Sequence, residues 1–417
     1  MVHQQDTLII GGGVIGVCAA YYLAGKGQSV TLVEKGEIAA GCSYGNAGLI
    51  VPSHSIPLAT PGALSSGLKW LRNPESPFYV KPRLDYDLAA WLLRFSLNCR
   101  EGRMRHAIPV LRDLGLASRA LYDELAAIDG LAFDYARKGV LQVFRTLDAF
   151  AEAQEEVHLL QAHGVPVQVL DAAQVREVEP RLRSEMAGGV YFPDDVHLNP
   201  AKFVCGLAGV AARMGVQVHT GTEVLSFETS GRKIVTVKTT RGDFTPAQVV
   251  LAAGSWSPGL SRELRLKLPI QPAKGYSITV KRPSSSPTVP LMLGEARVAV
   301  TPMGDLLRFA GTLELAGFDF SINQRRVNAI RRAVDEYLSG LEDLELVEIW
   351  RGWRPCTPDG LPILGYAPAW DNLVIASGHA MVGMSLGPMS GKLAAQLVCG
   401  EEPELDLYPL RTGRFSS

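Results

Sequence analysis

The sequence predicts a mixed α/β protein, part α/β and part α+β, in which one domain is assembled from separate stretches of chain. Three observations carry this. A β-rich run, Thr7-Leu8-Ile9-Ile10, passes through a glycine cluster into a run with helical spacing. Segments of similar character return near 198–260 and 345–410. Between them lie a helical stretch and several short strand candidates that read as an antiparallel sheet.

The size agrees with more than one folding unit. The chain has 417 residues and a mass of 45.0 kDa, which at roughly 100–200 residues per domain is about two to three units. It is 47% hydrophobic and 20% charged, enough apolar material for a sizeable core and too much for intrinsic disorder. Lys+Arg 41 against Asp+Glu 42 leaves a net charge of −1, so no basic field recommends nucleic acid as a partner. The six cysteines (Cys18, Cys42, Cys99, Cys205, Cys356, Cys399) form no Cys-x-x-Cys pair. Structural zinc, iron–sulfur clusters and a disulfide framework are therefore not expected; buried thiols in a reducing cytosol are. The start, Met1 to Asp6, lacks the basic region of a signal peptide.

The first element decides the rest. Thr7 through Gly25 is uncharged and has the length of a membrane span, yet Gly11, Gly12, Gly13 and Gly16 cluster within it. After them Ile15, Ala19, Tyr22 and Leu23 recur at helical spacing, so strand, glycine turn and helix is the better reading. Gly11-Gly12-Gly13-Val14-Ile15-Gly16 satisfies G-x-G-x-x-G, and the second strand, Ser29 to Val33, ends at Glu34, 18 residues beyond Gly16. This is a Rossmann-like dinucleotide unit. Gly11 permits the tight turn, Gly13 lets backbone approach a pyrophosphate, and Gly16 seats the helix on the sheet. The helix N-terminus offers unpaired N–H groups, and Glu34 can accept from a ribose 2′-OH while repelling a 2′-phosphate.

Both FAD and NAD use such a unit, and later segments favour the flavin. Gly41 to Ile50 is small and polar, placed where a flavin's pyrophosphate and ribityl chain would run. Ala247 to Trp256 reads as a buried strand ending in a small-residue turn at Ala253-Gly254. Ser377 to Pro388 leads into a helix expected from about Met389 to Cys399, with proline near its first turn. A helix starting there could direct its positive end at the flavin's N1–C2=O edge.

These residues resemble the D-amino-acid oxidase superfamily of FAD-dependent oxidoreductases, and more narrowly the small subunits of bacterial D-amino-acid dehydrogenases. The narrow resemblance rests on the glycine turn, Ser43-x-x-Asn46-Ala47-Gly48, and Ala59-x-Pro61-Gly62 with Leu68-Lys69-Trp70. It rests further on Lys274-Gly275-Tyr276-Ser277 and on Trp350-Arg351-Gly352-Trp353-Arg354-Pro355-x-Thr357-Pro358-Asp359-Gly360-x-Pro362. It implies a discontinuous FAD-binding domain (1–50, 198–264 and 345–417) and a substrate domain of antiparallel sheet plus helices (51–197 and 265–344). The residues expected at the cofactor are Gly11, Gly13, Val14, Ile15 and Gly16, then Glu34 and Lys35, then Ser43, Asn46, Ala47, Gly48 and Leu49. Val224, Ala253, Gly254 and Gly352 follow, and finally Gly378, His379, Met381, Val382, Gly383 and Met384. The cysteine that carries covalent flavin in sarcosine-oxidase-like members falls at Gly352, so FAD is expected to be noncovalent.

Along the chain, Asn199-Pro200 should open a helix, with Val204, Leu207 and Ala208 on one face. A strand at Gly221–Phe227 and a hairpin over Ile234–Phe244 follow. The substrate domain should hold helices at Leu88–Leu97, Ala107–Asp129 and Asp148–His163. Strands should occupy Tyr276–Val280, Ala296–Thr301 and Leu306–Ala310, with a closing helix from about Gln324 to Ser339 and a loop at 283–287.

The chemistry implied is oxidation of a small amino acid at Cα, with hydride passing to flavin N5. A guanidinium grips an α-carboxylate through two parallel hydrogen bonds, and the family's arginine falls at Arg354, with Arg351 in reserve. Tyr276 could offer its hydroxyl to the carboxylate or the ring edge, or merely pack; Lys274 could lie near the flavin. His54 could bias substrate choice. His379 is expected to contribute backbone rather than proton transfer, and no general base is assigned. The resemblance implies a D-α-amino acid or cyclic D-imino acid such as a D-hydroxyproline. A glycine, sarcosine or opine-type amine oxidase or dehydrogenase, or an electron-relay subunit of a hetero-oligomer, stays open as the alternative. The stretches Leu64–Leu71 and Ala89–Leu97 combine Trp70, Trp91, Leu92, Leu93 and Phe95 with Lys69, Arg72 and Arg94. Such a pattern suits either a buried helix or peripheral contact with the inner face of a cell membrane, where a quinone or an electron-transfer protein could accept the electrons.

Overall fold

The computed structural model describes residues 2–63 and 75–415, with side chains from Asp6 onward. Leu64–Leu71 and Leu68-Lys69-Trp70 thus lie outside the described residues.

The first strand, Val2–Ile10, is the centre of an eight-stranded sheet. It pairs in parallel with Val30–Val33 on one side and with Gly242–Leu251 on the other, Ile10 facing Val33 and Leu251. Gln217–His219 and Leu373–Ser377 extend the parallel part, while Val224–Ser230, Lys233–Thr239 and Ile363–Tyr366 join antiparallel. Parallel strands need crossovers, and the first is the helix Val14–Gly25. Its apolar face, Val14, Val17, Cys18 and Leu23, packs with helices Glu101–Ala126, Pro200–Arg213 and Gly383–Val398 into one core. Asn199 caps the Pro200 helix, its Oδ1 accepting from Lys202 N at 3.2 Å, as its sequence signature requires.

A second sheet has nine strands. Leu346–Cys356 forms one edge, followed by Gln271–Lys281, Leu306–Leu315, Val298–Met303 and Leu291–Leu293, all antiparallel. Val140–Phe144 continues it in parallel, Gly188–Phe192 and Gln168–Asp171 follow, and Phe78–Val80, parallel to Leu306–Leu315, is the ninth strand. Helix Gln324–Tyr337 covers one face with Val327, Ile330 and Val334. The segment from 345 onward, expected with the nucleotide-binding domain, gives its first strand to this sheet and its later strands to the other.

Among the described residues the long helices of the intervening segment are Tyr86–Asn98, Glu101–Ala126 and Leu147–Ala162, with a short one at Ala172–Val178. Trp91 and Phe95 are buried and stacked, centroids 5.1 Å apart, and Trp91 Nε1 donates to the Cys356 carbonyl at 3.0 Å. Those two aromatics are core; Leu93 and Leu97 of the same helix are exposed. Among the described residues no helix is long and apolar enough to cross a membrane. Of the thiols expected to be buried, Cys18 and Cys356 are, whereas Cys205 is exposed on a helix surface.

One helix boundary is corrected. The last long helix begins at Gly383, not near Met389, so Pro388 lies inside it. A proline there removes the N–H that would bond to the carbonyl of Met384. Tyr122 supplies the missing donor from another helix, its hydroxyl donating to Met384 O at 2.7 Å.

Candidate active site

The glycine turn is built as its spacing demands. Gly11 has φ +118, and a Cβ there would lie 2.5 Å from the Ala252 carbonyl. A Cβ on Gly16 would fall 1.9 Å from the Gly11 carbonyl, so only glycine lets the helix start this close to the strand. Gly13 differs: a Cβ there would meet only the Ser43 hydroxyl, at 3.3 Å. That opening is where backbone can approach a ligand. Val14 N, in the helix's first turn, donates to Ser43 Oγ at 3.0 Å, and Ile15 is buried beneath it. Glu34 accepts from Gly12 N at 2.8 Å and Gly36 N at 2.9 Å, holding turn and second strand together. Gly221 N and Thr222 N donate to the carbonyls of Gly36 and Glu34, bringing the start of the Val224 strand alongside. Lys35 lies over the Trp256 ring at 3.9 Å, just beyond Ala253 and Gly254. Gly254 has φ +52 and open space where a Cβ would be.

A second helix start converges on this region. Gly387 packs against Val14 and Gly391 against Cys18, where added Cβ atoms would lie 2.6 and 2.4 Å from those side chains. Both contact pairs advance in the same direction, so the helices Val14–Gly25 and Gly383–Val398 run parallel with their N-termini at one end. Their unpaired N–H groups and dipoles reinforce each other there, which suits an anionic ligand. Ser385 Oγ bonds Leu49 O and Val51 N, each at 3.1 Å, tying the 46–51 segment to this helix. Within that segment Asn46 Oδ1 accepts from Gly48 N at 2.8 Å, and Ala47 is half-buried. These glycines, helix ends and small residues are of a kind that fits an FAD; we propose that Gly13, Val14 and Ser43 would hold its pyrophosphate, Glu34 its ribose, and the 46–49 and 378–384 segments its ring.

His379 is buried, with Nε2 3.0 Å from Ser390 Oγ, and desolvation lowers its pKa to about 3, so the imidazole is neutral. Its main chain bridges to Cys356 and Ala380 N donates to Pro355 O at 3.0 Å, fastening the Gly378–Met384 loop to the end of the Arg354 strand. Met381 is exposed, Val382 precedes the helix as its N-cap, and Met384 is buried.

The two faces of the nine-stranded sheet separate the remaining candidates. Opposite Ala273, Gly275 and Ser277 stand Arg354, Gly352 and Trp350, and directly opposed residues in an antiparallel pair share a face. This face meets the 42–48 segment. The Trp350 indole lies against both Gly45 and Gly352, 2.0 Å from where each Cβ would be. Arg308, buried, donates to Thr279 Oγ1 at 3.0 Å and to the carbonyls of Tyr44 and Asn46 at 2.8 and 2.9 Å. Arg354 is half-buried and donates to Thr312 O at 2.7 Å; among the described residues no carboxylate pairs with it. Its charge is felt by Cys42 and Cys356, in both cases against a larger upward push from burial.

Tyr276 and Lys274 face the other way, which corrects the expectation for both. Tyr276 OH donates to Glu314 Oε2 at 3.0 Å and accepts from Asn323 N at 3.3 Å. Lys274 Nζ donates to Ser321 O at 3.1 Å and lies 3.5 Å from Asp319 and 3.9 Å from Glu314. Arg326 Nε stands 3.6 Å from Glu314. The phenol and the ammonium are consumed in a buried ionic network behind the sheet. Arg351 is on that side too, donating to Phe320 O at 2.9 Å and lying over Trp353. His54 is exposed, on the loop after the 46–51 segment; the chain packed around its ring, then the Arg297 charge, lower its pKa, and Arg297, not Arg354, is the cation that acts on it.

Sequence reasoning missed Arg308 and the Gly45–Trp350 contact. A signal for the first was present: a lone charge inside the apolar strand Leu306-Leu307-Arg308-Phe309-Ala310. For the second there was none, because the two residues come from different sheets' neighbourhoods.

Comparison with known proteins agrees with this construction. The model of the DAO family, described as FAD dependent oxidoreductase, matches residues 6–397. The chain is 36% identical over 421 residues to a D-amino acid dehydrogenase of Methylobacterium radiotolerans, covering 99% of this chain and 100% of that protein. It is 35% identical over 419 residues to one of Vibrio atlanticus, with 99% and 100% covered. Among solved structures, glycine oxidase from Geobacillus kaustophilus is similar with a TM-score of 0.81 at 26% identity, covering 99% of each chain. L-proline dehydrogenase from P. horikoshii, at 18% identity and TM-score 0.79, shares the fold. With the glycine turn, the paired helix ends and these matches in agreement, the chain belongs to the DAO family of FAD-dependent oxidoreductases.

Proposed function

We propose that this protein is a dehydrogenase that oxidises a D-α-amino acid, or a cyclic D-imino acid such as a D-hydroxyproline, to the imine. The substrate loses the Cα hydrogen with two electrons, as hydride, and one proton from nitrogen; water then hydrolyses an acyclic imine to the keto acid and ammonia. Bound FAD supplies the two-electron acceptor, and a quinone or electron-transfer protein takes the electrons onward. The eight-stranded sheet is the FAD-binding domain and the nine-stranded sheet the substrate domain in this reading.

One observation carries it: a half-buried guanidinium, Arg354, without a carboxylate partner among the described residues, on the sheet face turned toward the 42–48 segment. A buried cation is costly unless something completes its pairing, and an α-carboxylate does so. Arg354 then orients the substrate, and Trp350, against Gly45 and Gly352, shields that side from water. The neutral His379 holds the Gly378–Met384 loop without exchanging a proton. The relatives named as D-amino acid dehydrogenases support the substrate class. With glycine at position 352, FAD is held noncovalently and should leave with the supernatant on acid precipitation.

The test is anaerobic bleaching of the FAD-loaded protein by D- and L-amino acids, D-hydroxyproline, glycine and sarcosine. Bleaching by D-substrates alone is expected; bleaching by sarcosine or glycine alone would replace the substrate assignment. Arg354→Ala should weaken substrate binding by about 2–5 kcal/mol.

A further inference from the structure

The Lys274-Gly275-Tyr276-Ser277 motif holds a glycine that its own backbone does not require. Gly275 lies mid-way along an eleven-residue strand and has no left-handed φ, and glycine weakens a strand interior. Its bare Cα makes room for Arg354, whose guanidinium a side chain there would displace. A Cβ at 275 would lie 1.9 Å from Arg354 Nη1, 2.5 Å from Cζ and 2.6 Å from Nη2. The guanidinium therefore occupies the space that a side chain at 275 would take.

The neighbouring strand completes the seat. Lys274 pairs with Glu314 and Tyr276 with Gly311, so Thr312 and Leu313 together face Gly275 in a β-bulge. Such bulges re-aim groups beside active sites. Thr312 has φ +64, a strained value for a β-branched residue, and in that conformation its carbonyl accepts from Arg354 Nη1 at 2.7 Å. Behind the sheet, the side chains on either side of the glycine point away from the guanidinium, Lys274 donating to Ser321 O and Tyr276 to Glu314.

We propose that Gly275 and the Thr312 carbonyl are positioning elements for the substrate clamp: the glycine is the floor, and the bulge carbonyl the stop, that fix the Arg354 guanidinium in one plane for a carboxylate. This rests on the reading of Arg354 given above, and the test separates the two.

Propionate, a carboxylate that lacks the reacting amine, is titrated against FAD-loaded wild type, Gly275→Ala, Arg354→Ala and the double variant, following flavin absorbance, with melting temperatures in parallel. The expected result is at least tenfold weaker propionate binding in Gly275→Ala, and less than twofold further effect of Gly275→Ala once Arg354 is already alanine. Wild-type affinity in Gly275→Ala with loss in Arg354→Ala would overturn the positioning role and leave the clamp standing. Wild-type affinity in Arg354→Ala would overturn the clamp itself. Should Gly275→Ala melt early or lose FAD, the double variant decides: recovery supports competition of methyl and guanidinium for one space, and equal instability refutes it.

Discussion

The Tyr122 hydroxyl donates to the Met384 carbonyl at 2.7 Å, one turn before Pro388 on the helix Gly383–Val398. It replaces the amide proton that proline cannot offer, and so lets the helix begin early enough to point its N-terminus at the proposed cofactor site. Tyr122→Phe leaves that buried carbonyl unsatisfied, a cost of about 1–3 kcal/mol. Urea denaturation should register it as a lower midpoint with unchanged slope. Pro388→Ala restores an N–H at the right place, so the double variant should recover part of the loss. If it recovers none, Tyr122 is acting through packing alone.

Glu34 closes a different gap. Its two oxygens accept from Gly12 N and Gly36 N at 2.8 and 2.9 Å, so it holds in shape the glycine turn of the proposed cofactor site. Charge-assisted bonds of this kind contribute about 1.5–3 kcal/mol each. Glu34→Ala should therefore weaken FAD binding by at least about tenfold, measured by the fluorescence of FAD released on dilution. An FAD affinity equal to wild type would mean the turn is self-supporting.

What the sequence made legible follows from range. The turn at Gly11–Gly16, the cap at Asn199 and the strand core at Tyr276–Val280 are local and were readable, although that strand starts earlier, at Gln271. The start of the last helix was not, because its enabling donor is Tyr122, on another helix. The face occupied by Tyr276 was not either: a strand's side chains alternate, so one residue of register decides between substrate and core. Arg354 and Tyr276 are placed on opposite faces by the pairing Ala273–Arg354 and Tyr276–Arg351. No local pattern in either strand states that register.

That placement gives the third prediction. Tyr276→Phe removes a hydroxyl bonded to Glu314 at 3.0 Å, and should cost about 0.5–1.5 kcal/mol of stability. Substrate affinity should stay within about twofold, since the phenol faces away from Arg354. Glu314→Gln should be harsher, about 3–5 kcal/mol, because it strips the anion from between Lys274 and Arg326. Denaturation curves beside anaerobic substrate titrations check both. A large affinity loss with intact stability in Tyr276→Phe would return the tyrosine to the substrate side.

The pH dependence of stability should carry the signature of His379. Its folded pKa is lowered by desolvation to about 3 from 6.5, and its Nε2 meets Ser390 Oγ at 3.0 Å. A depressed base binds its proton more readily when unfolded. Its contribution is therefore complete above about pH 6.5 and is lost as pH falls from there toward 3, at about 1.4 kcal/mol per pH unit. Two other buried groups overlap this window. His197, lowered to about 4, adds to the loss. Asp195, raised to about 7 by burial despite hydrogen bonds from Ser53, opposes it, because folding favours its protonated form between 3.8 and 7. The raw slope is thus a sum of opposed contributions, and the informative quantity is the difference between wild type and His379→Gln, which keeps a polar group toward Ser390 without the titration. Between pH 6 and 4 the variant's stability should fall less steeply than wild type by about 1.4 kcal/mol per unit. Parallel curves would mean that His379 takes up no proton on unfolding, and that the loop beside the Arg354 strand is not held by a neutral imidazole.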